Sequence, residues 1–244
     1  MQDFSIIPLG SVSPYCKGDK NCPGFLIKYG KVNILLDCGN GISRYLELPN
    51  ALDNLYVFIS HLHLDHYGDL GTIEYASYVY NKLGLLNKKV KIYTPKVNIM
   101  HNKFNYCDYY IYNGNSFVKL SDLVVTFHNN DSHDIESYMI KVETSNYKIV
   151  YTSDIGNKNI DDVINYSKYC DLLICDSSLL IGQNNNNHLH AYEAGLIARD
   201  ANVKKLMITH FWPEIEKERY LEEARCYFKN TIVAEENKEL ILRR

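Results

Sequence analysis

The chain has no excess of basic charge, no long apolar run and no paired-cysteine motif, and each absence removes a class of function. Lysine and arginine number 26 against 29 aspartates and glutamates, a net charge of −3, so no global positive field points to nucleic acid. A local basic patch stays compatible with that balance. No stretch approaches the roughly eighteen consecutive apolar residues of a membrane span, so no membrane partner is expected. The opening Met1-Gln2-Asp3-Phe4-Ser5 carries neither a basic region nor a long apolar core and reads as the entry to a strand, not a signal peptide. The seven cysteines, at 16, 22, 38, 107, 170, 175 and 226, form no C-x-x-C pair. Reduced, structural thiols and a cytoplasmic location are therefore expected, with Cys16 and Cys22, which share a loop, as the pair that could bridge. No Pro/Gly/Ser-rich linker divides the chain, and residues 1–244 are read as one domain.

What is present is a succession of short apolar runs. Strands are expected over 4–9, 25–29, 32–36 and 56–60, then 91–94, 108–112, 123–128, 137–142 and 148–153, and finally 171–175, 205–208, 232–234 and 239–242. Helices are expected over 42–48, from Leu70 to Leu83 on three- and four-residue spacing, and over 160–167, 191–200 and 214–228, with Pro213 at the first turn of the last. Two mainly β layers between outer helices, an αββα architecture of the α+β class, account for this order. Gln183-Asn184-Asn185-Asn186-Asn187 is a polar, low-complexity loop.

Behind the run Leu55-Tyr56-Val57-Phe58-Ile59 stands His61-Leu62-His63-Leu64-Asp65-His66. Four of its six positions can bind a metal, and imidazole with carboxylate suits zinc or another first-row ion. The plainer alternative makes Asp65 a helix cap and leaves the histidines solvated. Three further candidates also follow apolar runs: His133, Asp154 and His210. His128 competes with His133, and Asp154 has a helix cap as its alternative role.

In this order of signs the chain resembles the metallo-β-lactamase superfamily, and within it the phosphodiesterase branch that includes the transfer-RNA-processing nuclease RNase Z. The resemblance implies a metallo-β-lactamase-like sandwich and two divalent metals. His61, His63 and His133 would hold one, Asp65, His66 and His210 the other, and Asp154 would bridge them. Zinc is the default; manganese or iron fits the same ligands. A shared water, acidified by the metals, would attack phosphorus in line. Asp65 would also orient that nucleophile, and His188 would donate a proton to the leaving oxygen.

His188 is the feature that points to this branch, because a His-x-Ser/Thr element leads into an Ala-rich helix there. This chain has His190 at the third position, and helix capping and substrate contact both stay open for it. Asp176 is either an acceptor that fixes the N–H of a ligand histidine or a turn residue. Ser11 and Ser13 are candidates to border the substrate, and Trp212 is more readily a packing residue than a stacking one.

RNase Z itself is disfavoured. Its RNA-gripping arm lies between the middle histidine and the bridging aspartate, and here only 21 residues separate His133 from Asp154. The expected activity is a compact, arm-less phosphodiesterase acting on a small or nucleotide-like phosphodiester. RNA processing, hydrolysis of thioesters, lactones or β-lactams, and a non-catalytic metal-binding module are the alternatives. A homodimer would match the resembling branch.

Overall fold

The computed structural model describes residues 4–46, 50–96, 106–184 and 186–243. The chain divides into two compact units, residues 1–112 with 235–244, and residues 113–234.

The first unit is a seven-stranded sheet built from β1 (Phe4–Gly10), β2 (Gly24–Tyr29), β3 (Val32–Leu36), β4 (Leu55–Phe58), β5 (Lys91–Thr94), β6 (Asp108–Ile111) and β14 (Leu240–Leu242). Its order is β14-β1-β2-β3-β4-β5-β6. Pairing is antiparallel from β14 to β3, where Tyr29 faces Val32 across a tight turn, and parallel from β3 to β6. Parallel neighbours need a crossover. Between β4 and β5 this is α1 (Leu64–Tyr67) and α2 (Leu70–Lys82), and α2 buries Leu70 and Ile73 against Leu35, Val57 and Ile92. Each fully buried aliphatic side chain of this kind stabilises the fold by about 1.5–3 kcal/mol.

The expected helix over 42–48 is only a 3-10 turn, Ile42–Tyr45, and positions 47–49 fall outside the described residues. The turn ends at Leu46, whose backbone is extended (ψ 121°) and whose side chain is buried with Ile42 in the core of this unit.

The second unit contains β7 (Phe117–Leu120), β8 (Leu123–Asn130), β9 (Ser137–Glu143), β10 (Lys148–Tyr151), β11 (Leu172–Asp176), β12 (Leu206–Thr209) and β13 (Thr231–Val233). They form a seven-stranded sheet in the order β13-β12-β11-β10-β9-β8-β7. It too changes from antiparallel (β7 to β10) to parallel (β10 to β13). Crossovers run through α3 (Ile160–Ser167), α4 (Ala191–Asp200) and α5 (Lys217–Arg225). Ala194, Ile197 and Ala198 of α4 pack with Leu173, Ile208 and Tyr220 in the core of this unit.

Strand β7 is absent from the sequence expectation because it is an edge strand with only Leu120 buried. Helix α5 begins at Lys217, not 214. Pro213 lies in the preceding turn, which the Ile215 N–H closes onto the Trp212 carbonyl at 3.1 Å. No helix of the described residues is long and apolar enough to cross a membrane.

Candidate functional site

In both units the chemistry gathers just past the carboxyl ends of parallel strands, the usual place for ligands in such sheets. Asp37 follows β3 and His61 follows β4; Asp154 follows β10, Asp176 ends β11 and His210 follows β12. Asp37 and His210 have φ of +59° and +69°. A left-handed backbone at a non-glycine residue is costly, and at these two positions the hydrogen bonds of the side chains hold it.

In the first unit, β4 ends at Phe58 and the chain turns through Ser60 and His61 into the single turn of α1. His63 stands at its N-cap, with Asp65 and His66 inside it. The turn brings the motif together: the His61 and His66 rings are 4.1 Å apart, and His61 Nε2 lies 3.1 Å from His63 Nδ1. The Asp65 carboxylate is 3.6 Å from His66 Nε2 and accepts the Ser13 hydroxyl at 2.8 Å. Ser13 thus holds a proposed ligand.

Asp37 is the residue that sequence reasoning missed. Fully buried, it accepts the Ser60 N–H at 2.7 Å, the Ser60 hydroxyl at 2.8 Å and His66 Nδ1–H at 2.7 Å. Ser60 spends its only proton on Asp37, so its oxygen accepts from His61 Nδ1–H at 3.0 Å. Both histidines then keep their lone pair on Nε2, the form a metal ligand requires. The signal for Asp37 was present: it closes the run Ile34-Leu35-Leu36 as Asp154 closes β10.

The second unit repeats this device. Asp176 Oδ1 accepts the Ser178 hydroxyl at 2.6 Å, and the Ser178 oxygen accepts His210 Nδ1–H at 2.6 Å. Asp176 Oδ2 accepts His188 Nδ1–H at 2.9 Å and the Ile155 N–H at 3.1 Å. Of the two roles open to Asp176, it takes that of the buried acceptor that fixes imidazoles.

His210 Nε2 lies 2.9 Å from the Asp154 carboxylate, and His133 Nε2 lies 3.9 Å from it. His133 Nδ1–H donates to the Asn187 carbonyl at 3.3 Å. Ligand atoms of Asp154, Asp176, His188 and His210 all fall within 4.8 Å of one another. His128 is elsewhere, 3.6 Å from Asp162 and stacked on Tyr166, so His133 is the histidine that accompanies Asp154.

Electrostatics separate the roles. Burial is the largest influence on His133 and lowers its pKa below the ordinary imidazole range, although Asp154 and Asp134 oppose it. A neutral ring suits a ligand. Burial also presses the His188 pKa down, but the charge and hydrogen bond of Asp176, helped by Asp154, outweigh it and the net shift is upward. A retained proton suits an acid.

His190 points away from this group. Its Nδ1 lies 2.9 Å from Glu193 Oε2 and its Nε2 2.8 Å from the Gln183 carbonyl, at the N-cap of α4. Trp212 is 41% exposed, so packing does not absorb it. The seven cysteines are all free thiols, Cys16 and Cys22 included. Burial pushes Cys22 and Cys170 up to about 12, which leaves them inert.

Imidazoles with Nε2 lone pairs beside buried carboxylates fit a divalent first-row metal. The model for the beta-lactamase superfamily domain matches residues 32–211. The chain belongs to that superfamily. It is 26% identical over 214 residues to the probable metallo-hydrolase YhfI of Bacillus subtilis, covering 85% of this chain and 86% of that one. It is likewise 26% identical over 302 aligned positions to ribonuclease Z of Archaeoglobus fulgidus, covering 96% of each.

The crystal structure of YhfI, a metallo-β-lactamase fold protein, matches with a TM-score of 0.88 at 21% identity, over 99% of this chain and all of that one. A diphosphatase of the PhnP family matches with a TM-score of 0.73 at 15% identity over 98% of each. The expected αββα class is thus the fold, and the chain is a metallo-β-lactamase-fold hydrolase whose His/Asp set can hold divalent metal.

Proposed function

We propose that the protein is a divalent-metal-dependent phosphodiesterase acting on a nucleotide-like or other small phosphodiester. His61, His63, Asp65 and His66 of the first unit, with His133, Asp154 and His210 of the second, would hold two ions, zinc before manganese or iron. When bound, such ions supply Lewis acidity toward a phosphoryl oxygen and acidify water.

The chain's own residues then divide the remaining work. Asp37 and Asp176, through Ser60 and Ser178, keep the imidazoles in the ligand tautomer and fix their orientation. Asp65, steadied by Ser13, orients the attacking water. His188 holds a proton on the ring that Asp176 anchors and delivers it to the departing alkoxide.

The observation that carries this reading is the His188–Asp176 pair at 2.9 Å, with the His188 ring stacked 5.1 Å from His210. Esters of alcohols leave poorly without a proton, and a positioned acid is worth about two to four powers of ten. A thioester, whose thiolate leaves more readily than an alkoxide, has less use for that residue.

The test is a substrate comparison on metal-loaded protein. Bis(p-nitrophenyl) phosphate should be hydrolysed well above nitrocefin or a thioester, and the reverse ranking overturns the reading. A second reading, RNase Z activity, is favoured by the archaeal relative. Against it, β9 and β10 occupy the interval from His133 to Asp154, with only Thr144 to Tyr147 between them. Cleavage of precursor transfer RNA in preference to small diesters would install it instead.

A further inference from the structure

The segment from Ser177 to His190 joins β11 to α4 and carries both His188 and the Asn187 carbonyl that meets His133. Leu179, Leu180 and Leu189 of this segment are buried and anchor its two ends. Gln183, Asn184, Asn186 and Asn187 bring no apolar side chain, so between the anchors hydrogen bonds must do the holding. At the base it is zipped by the Leu179 N–H to the Leu189 carbonyl at 3.1 Å and the Ala191 N–H to the Leu179 carbonyl at 2.9 Å. The Leu180 N–H adds a bond to Gln183 Oε1 at 2.7 Å.

His190 closes the rest. Both partners are acceptors, so the ring donates from both nitrogens, from Nδ1 to Glu193 at 2.9 Å and from Nε2 across the loop to the Gln183 carbonyl at 2.8 Å. These two bonds favour the imidazolium form. Glu193 is itself held by the Asn157 amide at 3.2 Å, on the connection that follows Asp154. Beyond the clamp the chain presses on that same connection: a Cβ at Gly156 would sit 2.0 Å from the Asn186 carbonyl oxygen.

A serine or threonine at position 190 would cap α4 equally well. Its hydroxyl, one bond beyond Cβ, is too short to span the loop to Gln183. The imidazole adds that second contact.

We propose that His190 is a positioning residue for the phosphodiester reaction. Bonded to Glu193 and to Gln183, it holds the loop so that the Asn187 carbonyl orients His133 and His188 meets Asp176. The proposal rests on the roles given above to His133 and His188.

The test compares wild-type, His190→Ser and His190→Gln in the full, zinc-loaded chain. His190→Ser keeps the cap and so keeps the melting temperature. It should nevertheless speed amide exchange at Asn186 to Leu189 by about tenfold. Through His133 it should weaken zinc binding by about tenfold in chelator competition. It should also lower kcat on a diester with an alkoxide leaving group by about tenfold while KM changes less than about twofold. His190→Gln, long enough to donate to Gln183, should recover most of each loss.

A serine variant that matches wild-type in exchange, zinc affinity and kcat overturns the proposal and leaves His190 a helix cap. If the serine variant does not fold, wild-type exchange decides, since coil-like rates at Asn186 to Leu189 also overturn it. Should wild-type protein turn over no phosphodiester, the functional reading fails, while the exchange and zinc arms still decide the clamp.

Discussion

The two units carry the same hydrogen-bonded parts in opposite sequence arrangements. In each, a buried aspartate at a strand end takes a serine hydroxyl, that serine takes a histidine Nδ1–H, and a second histidine binds the same carboxylate directly. Asp37, Ser60, His61 and His66 form the first set. Asp176, Ser178, His210 and His188 form the second. In the first unit the proposed ligands fall within one connection, 61–66. In the second they are His133, in the loop between β8 and β9, and Asp154 and His210, past the ends of β10 and β12. A compact motif needs only a local turn, whereas a dispersed one needs the whole parallel sheet in register.

That contrast breaks most sharply at the ligands. His61→Ala and His210→Ala should each lose bound metal, by elemental analysis, and lower kcat/KM by roughly a thousandfold, the scale of losing a main electrostatic stabiliser. Equal losses would establish that both sets serve one reaction. Full activity in either variant would remove that unit from it.

The next effect tests the difference between His66 and His188, which occupy matching places on their aspartates. On a diester with an alkoxide leaving group, His188→Ala should lower kcat by about a hundredfold with metal content intact. The loss should be much smaller on bis(p-nitrophenyl) phosphate, whose nitrophenolate leaves without a proton. His66→Ala should lose metal. The upward shift of His188, which Asp176 sustains against burial, carries the acid form to higher pH than in an ordinary imidazole, and that form is lost as pH rises through the elevated value. An alkaline limb in the kcat profile is expected, and Asp176→Asn should move it to lower pH. A profile that does not move would detach His188 from proton transfer.

Smaller effects come from the supporting carboxylates. Asp37→Asn should weaken metal affinity by about tenfold, within the range seen for partners of ligand histidines, measured by chelator competition. The smallest is Ser178→Ala, which removes one relay hydroxyl. It should cost about 1 kcal/mol of stability in urea unfolding, the ordinary worth of a buried hydrogen bond. A much larger loss would show that the relay in the second unit is cooperative.

Sequence legibility followed the same divide. The motif 61–66 announced itself because ligand-bearing residues fell together directly after an apolar strand. His133, Asp154 and His210 were legible only as polar residues ending apolar runs. Asp37 ends such a run too, yet a single aspartate there is indistinguishable from a turn residue until Ser60 and His66 are seen on it. Edge strand β7 was invisible for a related reason, since one buried side chain makes no pattern.

By itself, the sequence determined the order of the strands other than β7, the order of the helices from α2 onward and the donor chemistry of the 61–66 motif. Periodicity, strand-end placement and side-chain type are local properties. Only the tertiary structure decided that Asp37 and Asp176 play parallel roles, that His133 rather than His128 joins Asp154, and that His190 faces Gln183 and Glu193. Each of those depends on hydrogen bonds between residues far apart in the chain, and hydrogen bonds form only where folding has already brought donor and acceptor within about 3 Å.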